Sequence, residues 1–431
     1  MVQQVYGVTD RKTGDSSHGQ NTIVHYYDKA GVKAANAIAV YAQFADRRSM
    51  PLKMGTTYKV SKWLHIYDRE IGDTDFASKG YLTARNIADV SAGLTAAGLA
   101  EGAGAVNPTS IKKVTISTEF ARYGEMIDYT DEVEMFAEDA VQVHYREELG
   151  LLANRRSEDL IQLDMLTTTT AMYSGSATSL ITVGTDISDT AATSIDGTDD
   201  DLVRVSYDLI RKGVRKLVRN RAEKNTSIVT GSTKIDTRTV NKAFYAIVGP
   251  EVKFDLESLT RSSGTAASDS TEYVYVPAYK YADATNLAEG EVGAMNDVRF
   301  IESESAVVYA GAGAKTPGAI PGTDGQYLGA LSQTTHDAAS AAALNTLTGG
   351  SAYAASESRF DVFPILFPTK GSFATVGLKG HGKIKFNAQS PGKIELINPY
   401  GTKGFFSYNM WYAGIILREE RLLKMLVAAS A

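Results

Sequence analysis

The sequence predicts an α+β fold in which a long two-stranded β-arm leads directly into a long helix. The first strand signal, residues 55–66, alternates apolar Tyr58 and Val60 with polar Lys59. The second, residues 111–129, alternates in the same way, and a period of two is typical of a half-buried strand. About 45 residues separate the two segments, far more than a tight hairpin turn needs. Such an arm cannot bury its own surface, so we predict that it lies on a neighbouring chain.

The segments on either side of the first strand have distinct compositions. Residues 1–28 are polar and rich in Gly and Ser, which predicts an extended arm. From Lys29 to Arg48 apolar residues recur near helical spacing and Pro51 follows, which predicts a helix that ends before the proline. The tip of the β-arm, residues 92–107, consists almost entirely of small residues and predicts a flexible loop.

The long helix is predicted over residues 133–167. Thr130 or Asp131 can cap its start, where acidic residues also suit the helix dipole. Apolar residues that include Phe136 and Leu152 keep an approximate helical period along its length. A helix of roughly 35 residues is about 50 Å long. We therefore predict a strut that is buried along this apolar stripe.

The rest of the chain mixes helix and strand signals. A second helix is predicted over residues 202–222, capped by Thr198 and the acidic residues 199–201, and a third near residues 240–246. Strand signals occur at residues 227–230, 273–279, 298–301, 383–386, 393–397 and 405–417. Residues 311–358, rich in Gly, Ala, Ser and Thr, predict a long surface insertion.

Composition limits the possible classes of protein. The chain has 431 residues, of which 43% are hydrophobic and 22% charged, as in an ordinary globular protein. Its net charge of −6 argues against a dedicated nucleic-acid-binding protein, which needs a basic surface. Cysteine is absent, so disulfides and thiolate metal sites are impossible.

Targeting signals are also missing from the sequence. Residues 1–5 lack the basic and apolar regions of a signal peptide. The longest apolar run, residues 410–417, is too short to span a bilayer. We expect a protein that is made and used in the cytoplasm and has no membrane partner.

No pattern of residues predicts a catalytic, cofactor-binding or metal-binding site. Residues 377–383 match the first seven positions of a phosphate-binding loop, but Ile384 stands where a hydroxyl is needed for Mg²⁺. The residues that follow alternate as a strand, whereas the loop must open a helix, so we interpret the run as a turn between strands. The six histidines are scattered without the spacing of a zinc site. We expect no cofactor.

A series of short motifs follows in a set order along the chain. The motifs are Pro51-Leu52-x-x-Gly55-Thr56-Thr57, Leu99-Ala100-Glu101-Gly102 with Pro108, Tyr123-Gly124-Glu125, Thr130-Asp131-Glu132, Val248-Gly249-Pro250, Phe254-Asp255-Leu256, Gly290-Glu291-Val292-Gly293, Val298-Arg299-Phe300, Lys403-Gly404-Phe405-Phe406 and Trp411-Tyr412-Ala413-Gly414. In their order and spacing the chain resembles one known family, the major capsid proteins of tailed phages, in particular the N-four-like podovirus group. The resemblance runs from about Tyr26 to Leu426.

The resemblance implies the Hong Kong 97-type capsid fold and a division of the chain into five parts. These are an N-terminal arm (1–51), an extended loop with adjoining peripheral-domain strands (52–125), the spine helix of the peripheral domain (126–175), an axial domain with an insertion at 312–358 (176–370), and return strands to the peripheral domain (371–431). It further implies a major capsid protein, not an enzyme, that self-assembles into pentamers and hexamers forming the icosahedral head shell of the virion around double-stranded DNA.

Partners and contact residues follow from the same resemblance. We expect the chain to bind itself, with portal, scaffolding or decoration proteins as further partners, and to touch packaged DNA weakly and without sequence specificity. Candidate contacts between subunits are Trp63, Glu101, Pro108 and Tyr123. A basic helix face formed by Arg204, Arg211, Arg215 and Arg219 is a candidate DNA-facing stripe, although such a stripe can equally be a solvated face or a local ion-pair network.

Three alternatives remain open from the sequence. One is an enzyme with unrecognised chemistry, favoured only by chain length and by the partial phosphate-binding motif. A second is a cellular encapsulin-like shell of the same fold, which would package a cargo protein. A third is another virion protein, such as a tail or adhesin component.

Overall fold

The computed structural model describes residues 39–63, 87–96, 101, 113–136, 141–185, 203–229, 237–261, 272–281, 287–316, 331–379, 384–394 and 398–431. Its helices are α1 Ile87–Ala96, α2 Asp131–Phe136, α3 Val141–Leu166, α4 Tyr207–Arg219, α5 Pro250–Glu257 and α6 Ala338–Thr348. Its strands are β1 Asp46–Met50, β2 Thr57–Trp63, β3 Lys113–Glu119, β4 Ala121–Thr130, β5 Ala171–Tyr173, β6 Asn225–Val229, β7 Thr237–Val248, β8 Thr260–Arg261, β9 Glu272–Tyr273, β10 Val276–Pro277, β11 Glu291–Met295, β12 Val298–Glu302, β13 Gln333–Thr335, β14 Ser358–Phe360, β15 Phe363–Phe367, β16 Phe373–Leu378, β17 Ile384–Gln389, β18 Lys403–Tyr412, β19 Gly414–Ile416 and β20 Leu423–Val427. The mixture confirms the predicted α+β class.

A mixed central sheet organises the larger part of the fold. Its strand order is β10-β11-β12-β7-β15-β20-β5, and β6 pairs with β7 at the side. Helices α4 and α5 cover one face, where Leu217 and Leu256 pack with Phe244. The end of α3 covers the other face, where Met165 packs with Tyr245. The sheet is therefore buried on both faces.

Strand β7 corrects the prediction of a helix near residues 240–246. Phe244 and Tyr245 point to opposite cores and both are fully buried. A strand buried on both faces reads as a continuous apolar run without the alternation that identifies half-buried strands. Phe244, Tyr245 and Ile247 in this strand are aromatic or β-branched, types that favour strands. The next helix, α5, begins at Pro250, a residue that suits a first helical position.

A second sheet, in the order β17-β18-β4, packs one of its faces against α3. Phe406 and Tyr408 of β18 contact Leu149 and Ala153 of α3 in a separate small core. The strand signals at 383–386 and 405–417 are thus confirmed as β17, β18 and β19. In contrast, residues 391–392 form a turn, and residues 393–394 of the strand signal at 393–397 are not in a strand; residues 395–397 lie outside the described residues.

A third sheet, β1-β16-β19, corrects the predicted helix at residues 29–48. Within the described part of that segment, Tyr41–Phe44 form one 3₁₀ turn and Asp46–Met50 form β1, which pairs in parallel with β16. This partner lies more than 300 residues away in sequence, so local periodicity carries no trace of the pairing. Residues 29–38 lie outside the described residues.

The predicted long helix appears as α2 and α3, with residues 137–140 outside the described residues. Asp131 is the first residue of α2, and its carboxylate accepts from the Glu132 N–H at 3.0 Å. Phe136 is 83% exposed, which corrects the prediction that it lies on the buried stripe. Leu149 and Ile161 of α3 are fully buried, as that stripe requires. The predicted burial is thus confirmed for Leu149 and Ile161 of α3, and it is wrong for Phe136, the last residue of α2.

Helix α4 begins later than predicted. It starts at Tyr207, and the Ser206 hydroxyl accepts from the Leu209 N–H at 3.2 Å, so Ser206 is the N-cap residue. The Ser206 hydroxyl, which is nearer to the first turn, caps the helix in place of the predicted Thr198 and acidic residues 199–201. Residues 186–202, which contain those predicted caps, lie outside the described residues.

The described residues of the predicted surface insertion, 311–316 and 331–358, are partly buried, which corrects the prediction that the segment lies wholly on the surface; residues 317–330 lie outside the described residues. Ala312, Leu331 and Tyr353 are buried, and α6 within this segment begins with a capping box formed by Asp337. Small residues allow close packing here, where Gly313 lies so near the Phe360 carbonyl that a side chain would clash. A composition rich in small residues therefore marks tight packing as well as open loops.

Candidate functional site

The described base of the predicted β-arm is the two-stranded ladder of β2 and β3, called the arm base below. Its register runs from Thr57 opposite Glu119 to Trp63 opposite Lys113. Tyr58, Val60 and Ile116 lie on its inner face and pack on the sheet β1-β16-β19 of the same chain. This corrects the prediction that the arm has nothing local to pack on. That prediction remains open for the arm's distal part, of which the structure describes only 87–96 and 101.

A buried ion pair fixes the arm base to the C-terminal part of the chain. The Lys62 ammonium donates to both carboxylate oxygens of Glu420, at 3.0 Å each. Glu420 is only 5% exposed, and its carbonyl accepts from the Asn220 amide at 2.7 Å. One residue thereby joins β2, the 3₁₀ turn Glu419–Arg421 and the end of α4. Charge-assisted bonds of this kind are about twice as strong as neutral ones.

The four residues predicted to contact other subunits do not form one group. Trp63 is 64% exposed at the end of β2, with the Lys113 ammonium 5.7 Å from its ring. Tyr123 is partly exposed on β4, in a different sheet. Glu101 is exposed, and Pro108 lies outside the described residues. Trp63 and Tyr123 are therefore available for contact, but on separate surfaces.

An exposed apolar group at one end of the second sheet was not predicted. Met135 and Phe136 at the end of α2 are 73% and 83% exposed, and Tyr400 before β18 is 87% exposed. The two segments are adjacent, because the Asp131 N–H donates to the Thr402 carbonyl at 2.8 Å. We call Met135, Phe136 and Tyr400 the apolar end. Large apolar side chains that a chain leaves exposed are candidates for burial against another protein.

The predicted arginine stripe is divided in the structure. Arg204 precedes α4, and Arg211 is 3.7 Å from the Asp208 carboxylate and stacks over the Tyr207 ring. Arg215 and Arg219 instead line an open cleft. The remaining lining residues of this basic cleft are Met172, Lys212 and Lys216.

The arginine spacing along α4 did not predict that Lys212 and Lys216 also line the cleft. Helical spacing does place them beside Arg215 and Arg219, but the cleft exists only because β5 supplies Met172. The Lys216 ammonium donates to the Ala171 carbonyl at 3.2 Å. Burial lowers the pKa of Lys216, because a desolvated ammonium is less stable in its charged form.

The glycine-rich run at residues 377–383 connects two strands. Leu378 ends β16 and Ile384 begins β17, so no helix starts where a phosphate-binding loop requires one. Among the described residues, no three His, Asp or Glu side chains are grouped to hold a metal ion. Buried His336 has its Nε2 2.8 Å from the Gly311 carbonyl. No helix in the described part of the chain is long and apolar enough to cross a membrane.

Comparison with known proteins identifies a relative along nearly the whole chain. A major capsid protein of Pseudomonas phage KPP21 is 28% identical over 94% of this chain and 92% of its own length. No family model matches the sequence.

Solved structures show the same fold. The capsid of Ralstonia phage GP4 matches 100% of this chain and 99% of its own, with a TM-score of 0.54 at 11% identity. The capsid of Helicobacter pylori bacteriophage KHP30 matches 99% of this chain and 100% of its own, with a TM-score of 0.50 at 7% identity. The fold is therefore that of phage capsid proteins, the Hong Kong 97-type fold.

Proposed function

We infer that this chain is a phage major capsid protein, and we propose that its copies form the pentamers and hexamers of an icosahedral shell around double-stranded DNA. The observation that carries this proposal is the match to a phage major capsid protein over 94% of the chain. The capsid fold supports it independently. An encapsulin-like cellular shell and a tail or adhesin component are not favoured by this relative.

Association between copies uses surfaces that one chain leaves uncovered. The apolar end exposes Phe136 and Tyr400, while Trp63 stands exposed on the outer face of the arm base. Burying each such side chain stabilises a contact by about 1.5–3 kcal/mol. Heterologous contacts of this kind produce rings, and curvature closes the rings into a shell. The distal arm, residues 64–112, completes these contacts by lying on a neighbouring subunit.

The domain boundaries predicted from the sequence become part of this proposal. The central-sheet strands within residues 176–370, together with α4 and α5, belong to the axial domain around the centre of each ring. The sheet β17-β18-β4 with α3 belongs to the peripheral domain. Residues 371–431 return the chain to that domain, except that β20 pairs with β15 and β5 in the central sheet. The support is the two separate cores of these units.

The remaining partners follow from the role of a shell subunit. Scaffolding, portal and decoration proteins bind the assembled rings, and assembly takes place in the host cytoplasm. A net charge of −6 suits a container that touches DNA weakly, since a strongly basic lining would hold the genome by its phosphates. Catalysis has no part in the function.

Deletion of residues 68–107 tests the proposal. Strands β2 and β3 remain, and so does Lys62, which holds the arm base to the body. The shortened chain therefore folds, but its copies lack the contact that links neighbours. We expect soluble subunits or small rings in negative-stain images, whereas the intact chain forms closed shells.

Two further measurements make this experiment decisive. Thermal unfolding of the shortened chain within a few degrees of the intact chain shows that the core is unchanged. A second variant, Phe136→Ala, leaves the arm complete and removes one of the three side chains of the apolar end, so we expect fewer shells of normal size. Normal yields of equally stable shells from the deletion variant would refute the role of the arm.

A further inference from the structure

The basic cleft presents four cationic side chains from one helix face. Lys212, Arg215, Lys216 and Arg219 are spaced at i, i+3, i+4 and i+7 along α4, so they follow one another on the same side. Among the described residues, Met172 of β5 is the apolar part of the lining. The cleft is open to solvent and has a volume of about 270 Å³. This is enough space for a small oxyanion group.

The cations of this cleft have no counter-charges among the described residues. Arg211, one position outside it, has the Asp208 carboxylate 3.7 Å away. Lys212, Arg215 and Arg219 have no carboxylate within 4 Å among the described residues. Like charges at helical spacings of three and four destabilise a helix. An anion held between them would remove this repulsion.

One of the four cations is already partly desolvated. The Lys216 ammonium lies over β5, where it donates to the Ala171 carbonyl at 3.2 Å. Burial lowers its pKa, which shows that the protein holds the charge at a cost. The helix dipole favours cations at the end of α4 and explains Arg219, but its influence fades within one turn and does not explain Lys212. A bound anion accounts for the positions of both Lys212 and Arg219.

We propose that the basic cleft binds the phosphate groups of a nucleic-acid backbone. Arginine guanidinium groups bind phosphate oxygens in pairs, and lysine adds point charges beside them. From Lys212 to Arg219 the helix rises about 10 Å, which corresponds to roughly three phosphates of one DNA strand. This proposal assigns particular residues to the contact with packaged DNA, and it therefore rests on the proposed function.

Binding of a fluorescent DNA duplex to the full-length chain tests the site. Fluorescence anisotropy is measured from 50 to 300 mM NaCl, with sedimentation in the same buffers to separate subunits from shells. Each phosphate contact contributes about 0.9 to the slope of log affinity against log salt. The double variant Arg215→Gln/Arg219→Gln should lose about 1.8 in slope and on the order of 10- to 100-fold in affinity at 0.1 M salt.

Matched controls separate this site from general surface charge. Arg211→Gln removes a neighbouring arginine outside the cleft and should leave affinity and slope nearly unchanged. Arg215→Lys/Arg219→Lys should retain most of the slope. Binding of inorganic phosphate at millimolar concentration, measured by calorimetry, together with no binding of the duplex, would show a free-phosphate site and overturn the assignment to nucleic acid.

The comparison with Arg211→Gln tests nucleic-acid binding by the cleft whether or not the chain assembles into shells. Equal losses in Arg211→Gln and the double variant, or an unchanged slope in the double variant, would overturn the proposal even if the chain forms shells. The reverse result, duplex binding at the cleft by a chain that never assembles, would leave the site intact and refute the shell function alone.

Discussion

Lys62 of the arm base and Glu420 of the C-terminal 3₁₀ turn form a two-fold hydrogen-bonded ion pair, with both N–O distances 3.0 Å. The two residues are 358 positions apart, and the pair joins a peripheral strand to the end of the chain. With Tyr58 and Val60 packed beneath, the arm base is held against the body of the chain. A subunit whose arm base is already ordered loses less conformational entropy when a neighbour binds it.

Replacing Lys62 by Met should destabilise the arm base. It leaves the Glu420 carboxylate buried without this cation, a change that costs roughly 1–3 kcal/mol. Hydrogen exchange of the β2 and β3 amides should therefore become faster, while exchange in the central sheet remains slow. Lys59→Met, on the exposed face of the same strand, is the control; equal exchange in both variants would show that the pair does not hold the arm.

Leu149→Ala should lower the stability of the unassembled chain by about 2–5 kcal/mol, because it opens a cavity in a well-packed core. Leu149 is 1% exposed and contacts the second sheet through Phe406. Chemical denaturation measures the change. Phe136→Ala should remain within about 0.5 kcal/mol of the wild type, since surface substitutions rarely cost more. A large loss in Phe136→Ala would restore the buried stripe that the sequence alone predicted.

Gly124→Val should weaken the pairing of β4 with β18. A Cβ at this position would lie 2.6 Å from the Tyr408 carbonyl oxygen, so the strands must separate, at about 1–3 kcal/mol. Gly150→Ala in α3 should have the opposite effect and stabilise the folded chain. Nothing lies within 4 Å of its added Cβ, and alanine favours a helix over glycine by about 0.5–1 kcal/mol. The thermal unfolding temperature should fall for Gly124→Val and rise for Gly150→Ala.

Asp164 gives the stability a defined pH dependence. Burial raises the pKa of its carboxyl above the ordinary value of 3.8, although the hydrogen bond from the Tyr412 hydroxyl at 2.7 Å opposes this. The folded chain thus holds the proton more tightly than the unfolded chain. Stability from this group is full below pH 3.8 and is lost as the pH rises through the folded pKa.

Asp164→Asn should therefore gain stability relative to the wild type as the pH rises from about 3.8, and the difference should then level off. Denaturation at a series of pH values measures it. Asp337 at the start of α6 provides the opposite sign, because its hydrogen bonds to Ser340 lower the pKa of its carboxyl. The deficit of Asp337→Ala should shrink as the pH falls below 3.8. A flat difference for Asp164→Asn would contradict the assigned shift.

Local periodicity was sufficient for the elements that face water on one side. The alternation around Tyr58 and Ile116 predicted β2 and β3, and the helical period around Leu149 predicted α3. It failed for β7, which is buried on both faces and so has no alternation. It also failed for Asp46–Met50, whose partner strand β16 is distant in sequence.

The candidate sites depend on relations that no single segment contains. The arginine spacing of α4 predicted Arg215 and Arg219, but Lys216 joins them only because β5 packs beside the helix. Likewise, Phe136 has the spacing of a core residue and yet is exposed next to the turn that carries Tyr400. Tertiary packing decides both, so the sequence could identify the elements but not their contacts.

Self-association into a closed shell is what the function requires of this chain, and it can be observed directly. The purified full-length protein is concentrated, analysed by sedimentation velocity and imaged by negative stain. We predict rapidly sedimenting particles of uniform diameter that appear as closed, angular shells, in exchange with free subunits or rings. A chain that stays monomeric at all concentrations and salt conditions, with folded subunits and no particles in the images, would contradict the assignment as a shell protein.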